Sequence, residues 1–523
     1  MAAMTRAPSP QLMALIQAAA RALEAGDEPA AENMFRQIVA DNPRHADAWH
    51  MLAGLIIRAG RGDEAIECAL RAHQLDRRNP LYLNTLGIAY GEAQQPEEAV
   101  RCFRRSLKEQ PSRADSHYNL AKAYVKLGEV AQAERSYLRA RQLDPERSQV
   151  TDSLVALYLH QGRYHDALPL LAQARASKPD DEIVAIQCAL AALATSGPES
   201  MLQELVAFVG RQPDSVTVPR ARLELGLRLL AEGRFADGWR QYAWRRNRPP
   251  VPRAPDVGGR RVLLLREQGL GDQLFFLRFA HRLRERAASV AFDCPAKLLP
   301  LLDGNAIVEV LGTSPHAPSG FDVALPLGDL PEALEDWTTP PPFPLAARRS
   351  SEWRERLAAL GPPPYLGVTW RGGTKQEEKA EFGAPDVALL SKEIAIALLA
   401  AALREWRGTV LVLQRLPLLT ELEILSKALG KRAHDLSALN EDLEDIAAVL
   451  SLIDEYVGVS NTNMHIRAGL GKPARVLVPF PPEFRWMHAG PRSPWFPGFH
   501  LYRQPASRDW QPVLDSLHDD INN

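Results

Sequence analysis

ADSHYNLAKAYVKLGEVAQAERSYLRARQLDPER, residues 114–147, decides how the first half of the chain folds. Moved 34 residues in either direction, its main positions recur. Small residues stand at Ala31, Ala65, Ala99, Ala133 and Ala167, and bulkier ones at Phe35, Phe103, Tyr137 and Leu171. Two further columns read Leu52, Leu86, Leu120, Leu154 and Ile56, Tyr90, Tyr124, Tyr158. Pro111, Pro145 and Pro179 keep the same step, with Pro43 two steps before Pro111; Arg77 takes the place between, and Pro80 follows closely. A fixed period of this size with apolar columns means stacked supersecondary units that share one core. Each unit reads as two antiparallel helices. Ala53, Gly87 and Ala121 let the helices approach, the aromatic column fills the space between units, and proline breaks the second helix.

The pattern resembles the tetratricopeptide repeat. Five units start near residues 12, 46, 80, 114 and 148, residues 182–215 read as a degenerate sixth, and 220–245 return to the pattern through Leu225, Gly226 and Tyr242. The columns themselves are core. The concave face is the place for a partner, with Asn84, His117, Asn119 and Lys122 as candidates, and such a groove suits an extended protein or peptide segment.

Composition narrows the function. The chain has 523 residues, about three domains' worth. Hydrophobic residues make up 46% and charged residues 24%, a globular balance, and the formal net charge is −2. No global basic excess points to nucleic acid or an anionic membrane surface. The longest apolar run, Ile394–Leu403, is too short for a spanning helix, and MAAMTRAPSP is not a secretory signal. Cys68, Cys102, Cys188 and Cys294 are scattered, which fits a reducing cytoplasm. There is no H-E-x-x-H and no Cys/His cluster, so neither a metal nor another cofactor is expected.

PPVPRAP at 249–255 ends the helical region. Beyond it short apolar runs alternate with helical stretches, the mark of a parallel sheet covered by helices. Strands are expected at 261–265, 290–293, 308–311 and 323–327, then at 366–370, 409–414, 456–460 and 475–479. Helices are expected at 350–360, 391–406, 420–429, 441–453 and 464–470, with Glu441 and Asp442 in a first turn. Proline-rich segments at 339–344 and 362–364 divide two Rossmann-like halves. The fold class is therefore an α solenoid over 1–248 followed by α/β, with halves at 258–345 and 363–523.

Two motifs, QGLGDQLFFLRFAHRL at 268–283 and EYVGVSNTNMHIRAGLGKPARVLVPFPPEFRWM at 455–487, continue the comparison. With SPWFPGFHLYRQ and the terminal repeat GRFADGWRQYAWR, they resemble repeat proteins fused to a glycosyltransferase family 9, heptosyltransferase-like domain. That resemblance implies a GT-B fold and a metal-independent inverting transferase with a nucleotide-diphosphate sugar between the halves. It makes Asp272 a general base for an acceptor hydroxyl; the residue physics alone makes it a helix cap. Gly269 and Gly271 let backbone approach the donor. Arg371, Thr374 and Lys375 would stabilise the leaving diphosphate, unless their loop is simply solvated surface. Gln414 should face the cleft from a strand end. Ser460, Asn461, Thr462, Asn463 and His465 open the helix that would hold the diphosphate.

Family members usually carry Asp-Thr ahead of that histidine. Here the aspartate is absent, and Ser460-Asn461 or Asn461-Thr462 takes its place. Two functions stay open. One is a cytoplasmic glycosyltransferase whose repeats recruit the acceptor. The other is an interaction scaffold with an inactive or nucleotide-sensing transferase-like domain. The aromatics Trp486, Trp495 and Phe496 are expected to pack rather than bind.

Overall fold

The structure is a computed structural model that describes residues 10–212, 218–246, 256–312, 320–372 and 392–522. It divides into two compact units at Leu157/Tyr158, and elements are numbered along the described residues.

The first unit consists of helical hairpins: α1 (Pro10–Glu24) with α2 (Glu28–Asp41), α3 (Ala46–Arg58) with α4 (Gly62–Leu75), α5 (Pro80–Glu92) with α6 (Pro96–Glu109), and α7 (Ala114–Lys126) with α8 (Val130–Leu143). The unit boundary falls within α9 (Ser148–His160). The second unit continues with α10 (Tyr164–Ser177), α11 (Glu182–Ser196), α12 (Pro198–Gly210), α13 (Pro219–Ala231) and α14 (Phe235–Tyr242). First helices begin at Ala46, Pro80, Ala114, Ser148 and Glu182, each 34 residues after the last. The stretch read as degenerate thus keeps the period: α11 and α12 form a regular hairpin, and Asp181 caps α11 by accepting from the amides of Ile183 and Val184. The small column is fully buried, and a Cβ at Gly87 would lie 2.6 Å from the Phe103 ring.

Two parallel sheets follow. β1 (Arg261–Leu265), β2 (Ser289–Asp293), β3 (Glu309–Leu311) and β4 (Val323–Pro326) lie in the order β3-β2-β1-β4. The second sheet holds β5 (Tyr365–Val368), β6 (Thr409–Val412), β7 (Ala433–Asp435), β8 (Glu455–Val459), β9 (Arg475–Val478) and β10 (His500–Arg503), ordered β10-β9-β8-β5-β6-β7. Both sheets start in the middle and reverse direction once, the doubly wound arrangement, with switch points at β1/β4 and β5/β8. Their covering helices are α15 (Leu270–Leu277), α16 (Ala280–Arg286), α17 (Leu299–Leu302), α18 (Leu330–Leu334), α19 (Ser350–Leu360), α20 (Ile396–Ala402), α21 (Leu419–Leu429), α22 (Leu443–Leu452), α23 (Thr462–Gly469) and α24 (Gln511–Asn522). Strand residues such as Leu264, Val368, Val412 and Val457 are wholly buried, as covered parallel sheets require.

Several sequence expectations are corrected. β7 and β10 were not anticipated. The helix expected over 391–406 is confined to Ile396–Ala402, with Ser391 outside the described residues. Asp442 lies just ahead of α22 as its N-cap, accepting from the amides of Glu444 and Asp445, and Glu441 belongs to the preceding 3₁₀ turn.

The last hairpin is inserted into the α/β core. Trp239 of α14 is 1% exposed and meets Phe276, Phe279, Phe484 and Trp495 edge-on at 5.6–6.0 Å between centroids. Arg228 of α13 donates to the Pro482 carbonyl at 2.8 Å. The terminal aromatics are therefore packing residues, and they bind the last repeat to both halves of the sheet region. Among the described residues no helix is long and apolar enough to cross a membrane.

Gly87→Val should cost about 1–3 kcal/mol through overpacking against Phe103. Denaturant unfolding of the full chain should show an earlier first transition, and an unchanged midpoint would refute the close approach.

Candidate functional site

The strand order brings two loops to one place. The loop after β1 enters α15, and the loop after β8 enters α23. Both helices begin at the carboxyl edge of a sheet beside its switch point, where doubly wound folds hold ligands. A Cβ at Gly271 would sit 3.0 Å from Cδ2 of His465 and 3.5 Å from Cα of Thr462, so the two helix starts all but touch. Glycine makes that approach easy, since a side chain would force the His465 ring to give way by a few tenths of an ångström. Between them lies a cavity of about 250 Å³.

Its wall contains Gly269, Gly271, Asp272, Arg371, Gln414, Ser460, Asn461, Thr462, Asn463 and His465, so the structure gathers these sequence-derived residues around one space. Thr374 and Lys375 lie outside the described residues.

Their hydrogen bonds separate scaffold from free chemistry. Gln414 is 1% exposed, and its carbonyl oxygen accepts from the amides of Trp370 and Arg371 at 3.0 and 2.9 Å. It fixes the loop after β5. Asn461 caps α23 by accepting from the Met464 amide at 3.3 Å and donates to Thr369 Oγ1 at 2.9 Å. Arg371 is paired with Glu421 and also donates to the Leu416 carbonyl. Asp272 accepts from the Gly269 amide at 3.3 Å, which is the capping role, and its other oxygen is ion-paired with Arg485.

Arg485, Glu483, Lys392 and Asn440 also line the cavity and were missed in the sequence. Arg485 stands next to Trp486, one of the aromatics expected to pack. The available signal was a charged pair, Glu483 and Arg485, set among Phe480, Phe484 and Trp486 in a stretch otherwise apolar. Arg485 lies 4.6 and 4.7 Å from the ring centroids of Phe275 and Phe484 and is buried. Burial depresses its guanidinium, but Asp272 and Glu483 outweigh that and keep it charged. Burial likewise raises Glu483, but Lys392 and Arg485 hold the carboxyl below its ordinary range.

His465 is 7% exposed, with Phe496 and Phe275 edge-on to its ring. Its Nδ1 has no hydrogen-bond partner among the described residues. Burial, followed by the charges of Arg485, Arg278 and Lys392, pushes the imidazole well below 6.5, so it is neutral near pH 7. The site therefore combines two helix N-termini, a neutral imidazole, paired cations and one partly exposed carboxylate. Such a place suits an anion such as a phosphate group. Among the described residues no cluster of His, Cys, Asp and Glu could hold a metal ion.

The groove residues of the first unit are also engaged internally. Asn84 is buried and accepts from Ser116 and Asn119 at 3.1 and 3.2 Å. His117 Nε2 meets the Pro111 carbonyl at 3.0 Å, and Lys122 lies 5.9 Å from the Tyr118 ring centroid.

Comparison with known proteins defines the class of the first region. Tetratricopeptide repeat profiles match residues 22–87 and 84–148. This region consists of tetratricopeptide repeats, a scaffold for protein interaction. The chain is also similar to "Protein FlbA" of Caulobacter vibrioides, 24% identical over 545 residues, covering 95% of this chain and 87% of that one. The 131 kDa subunit of transcription factor tau from Saccharomyces cerevisiae is 22% identical over 165 residues, 32% of this chain but 16% of its own length. Among solved structures, YrrB, a TPR protein with an unusual peptide-binding site, is 20% identical with a TM-score of 0.31, covering 36% of this chain and 97% of that one.

His465 has a lower pKa in the folded protein than in the unfolded chain, so the unfolded chain takes up that proton first as the pH falls. Its contribution to stability is complete above about pH 6.5 and is lost below it. The imidazole resonances should remain those of neutral histidine at pH 6. Ordinary titration near 6.5 would disprove the buried environment.

Proposed function

We propose that the α/β region binds a nucleotide-diphosphate sugar and transfers the sugar to an acceptor hydroxyl, with the repeats recruiting a protein or peptide acceptor. The reading belongs to the GT-B, family 9 class that the two motifs resemble. One observation carries it: the N-termini of α15 and α23, at the two switch points, meet at one cavity with Asp272 in its wall. The first-turn amides of the two helices suit a diphosphate, and no metal is needed.

In the transfer step the acceptor oxygen bonds to the anomeric carbon while the carbon–oxygen bond to the diphosphate breaks. The diphosphate leaves with the electron pair, and Asp272 takes the hydroxyl proton. Backbone amides of α23 stabilise the leaving charge. Neutral His465 offers a hydrogen bond without adding charge.

A second reading, a scaffold with a nucleotide-sensing domain, is favoured by one feature. Asp272 is held by Arg485 and Gly269, and so is not a free base.

The full chain, screened calorimetrically against uridine, guanosine, adenosine and cytidine diphosphate sugars, should bind at least one donor. Asp272→Asn should keep that binding and lose transfer by roughly 10²–10⁴-fold. Transfer at the wild-type rate in this variant would remove the base assignment, and donor binding without transfer in the parent chain would favour the sensor.

A further inference from the structure

We propose that Asp272 and an anionic ligand compete for Arg485, so that ligand entry releases the Asp272 carboxylate. This rests on the reading of the cavity as a diphosphate site.

Among the described residues, three of the four cations in the cavity wall are paired before any ligand arrives; the fourth, Arg415, is exposed at its rim. Arg371 pairs with Glu421, Lys392 with Glu483, and Arg485 with both Asp272 and Glu483. An incoming diphosphate that passes exposed Arg415 meets cations that already have carboxylate partners. To take the Nη2 group of Arg485 it must displace Asp272.

The three acids differ in what displacement costs. Glu421 is 14% exposed and bound through two oxygens to Arg371, and Glu483 is 9% exposed and shared between two cations. Freeing Glu421 from Arg371, or Glu483 from both of its cations, would leave a buried charge without its ionic partner, which is strongly unfavourable. Asp272 is 33% exposed and keeps the Gly269 amide through its other oxygen. Water can take over the released oxygen, so this is the pair that opens.

Arg485 is built to change partners. Its Nη1 stays 3.3 Å from Glu483, and the Phe275 and Phe484 rings fix its plane, while Nη2 alone holds Asp272. Its buried Nε has no hydrogen-bond partner among the described residues. The same movement would put a guanidinium on the leaving group and free the base beside the acceptor. Arg485 is thus a positioning residue for Asp272, and the base is unmasked only when ligand is present.

The test uses inorganic pyrophosphate and the full chain in calorimetry, with Asp272→Asn, Arg485→Lys and the double variant. Asparagine retains the cap and lysine the charge, and unfolding midpoints confirm that each variant is folded. Competition predicts that Asp272→Asn binds pyrophosphate at least ~5-fold more tightly than the parent, because the ligand no longer displaces a charged partner. Arg485→Lys should bind ~10-fold more weakly, and the gain from Asp272→Asn should vanish in the Arg485→Lys background. Unchanged or weaker binding by Asp272→Asn overturns the competition alone. An equal gain in both backgrounds also overturns it, since that is a general field effect. Absence of pyrophosphate binding in the parent and all variants overturns the diphosphate site itself.

Discussion

Parallel strands cannot be joined by a tight turn; each needs a crossover, and the crossover helix starts where the strand ends. All the strand pairings in both sheets are parallel, so helix N-termini collect along the carboxyl edges. At a switch point the crossovers on either side leave in opposite directions and open a crevice. The cavity wall, the capping roles of Asp272 and Asn461, and the close approach at Gly271 all follow from that threading.

The threading also explains the buried arginines. Arg467 is 1% exposed on α23 and donates to the carbonyls of Pro473, Ile453 and Asp454 at 2.7, 3.0 and 3.1 Å and also to that of Leu450. Burial pushes its pKa down to about 10, which still leaves it charged near neutrality. The guanidinium fork satisfies the end of α22 and the turn after α23 together, which lysine could not do with one nitrogen. Arg278 is pushed down to about 9 by burial and then by Arg485, and it holds the Trp495 carbonyl at 2.6 Å. One arginine thus secures the crossover that presents α23. The other secures the aromatic wall behind His465.

Legibility followed the physics of each element. The repeats were readable because a 34-residue period tests every helix against its neighbours, and even the stretch at 182–215 obeyed it. The central strands were readable as apolar runs. β7, of sequence AHD, and β10, of sequence HLYR, were not, because edge strands carry polar residues and their pairing is set by the sheet rather than by their own composition. The site residues next to glycine or a helix start were found from their motifs. Gln414 and Arg371 were found by position, but their internal bonds depend on residues distant in the chain. Arg485 was hidden because its partner Asp272 lies 213 residues away.

The helix starts at the cavity have a consequence for divergence. Their amides belong to the peptide backbone, not to any side chain, and Gly271 contributes by having no side chain at all. Asn461 caps α23 from outside, where serine, threonine or aspartate would serve as well. That row of amides can thus persist while the letters around it drift. Chains that share this pocket need not look alike across it, whereas Arg467, bound to carbonyls on several turns, leaves far less freedom.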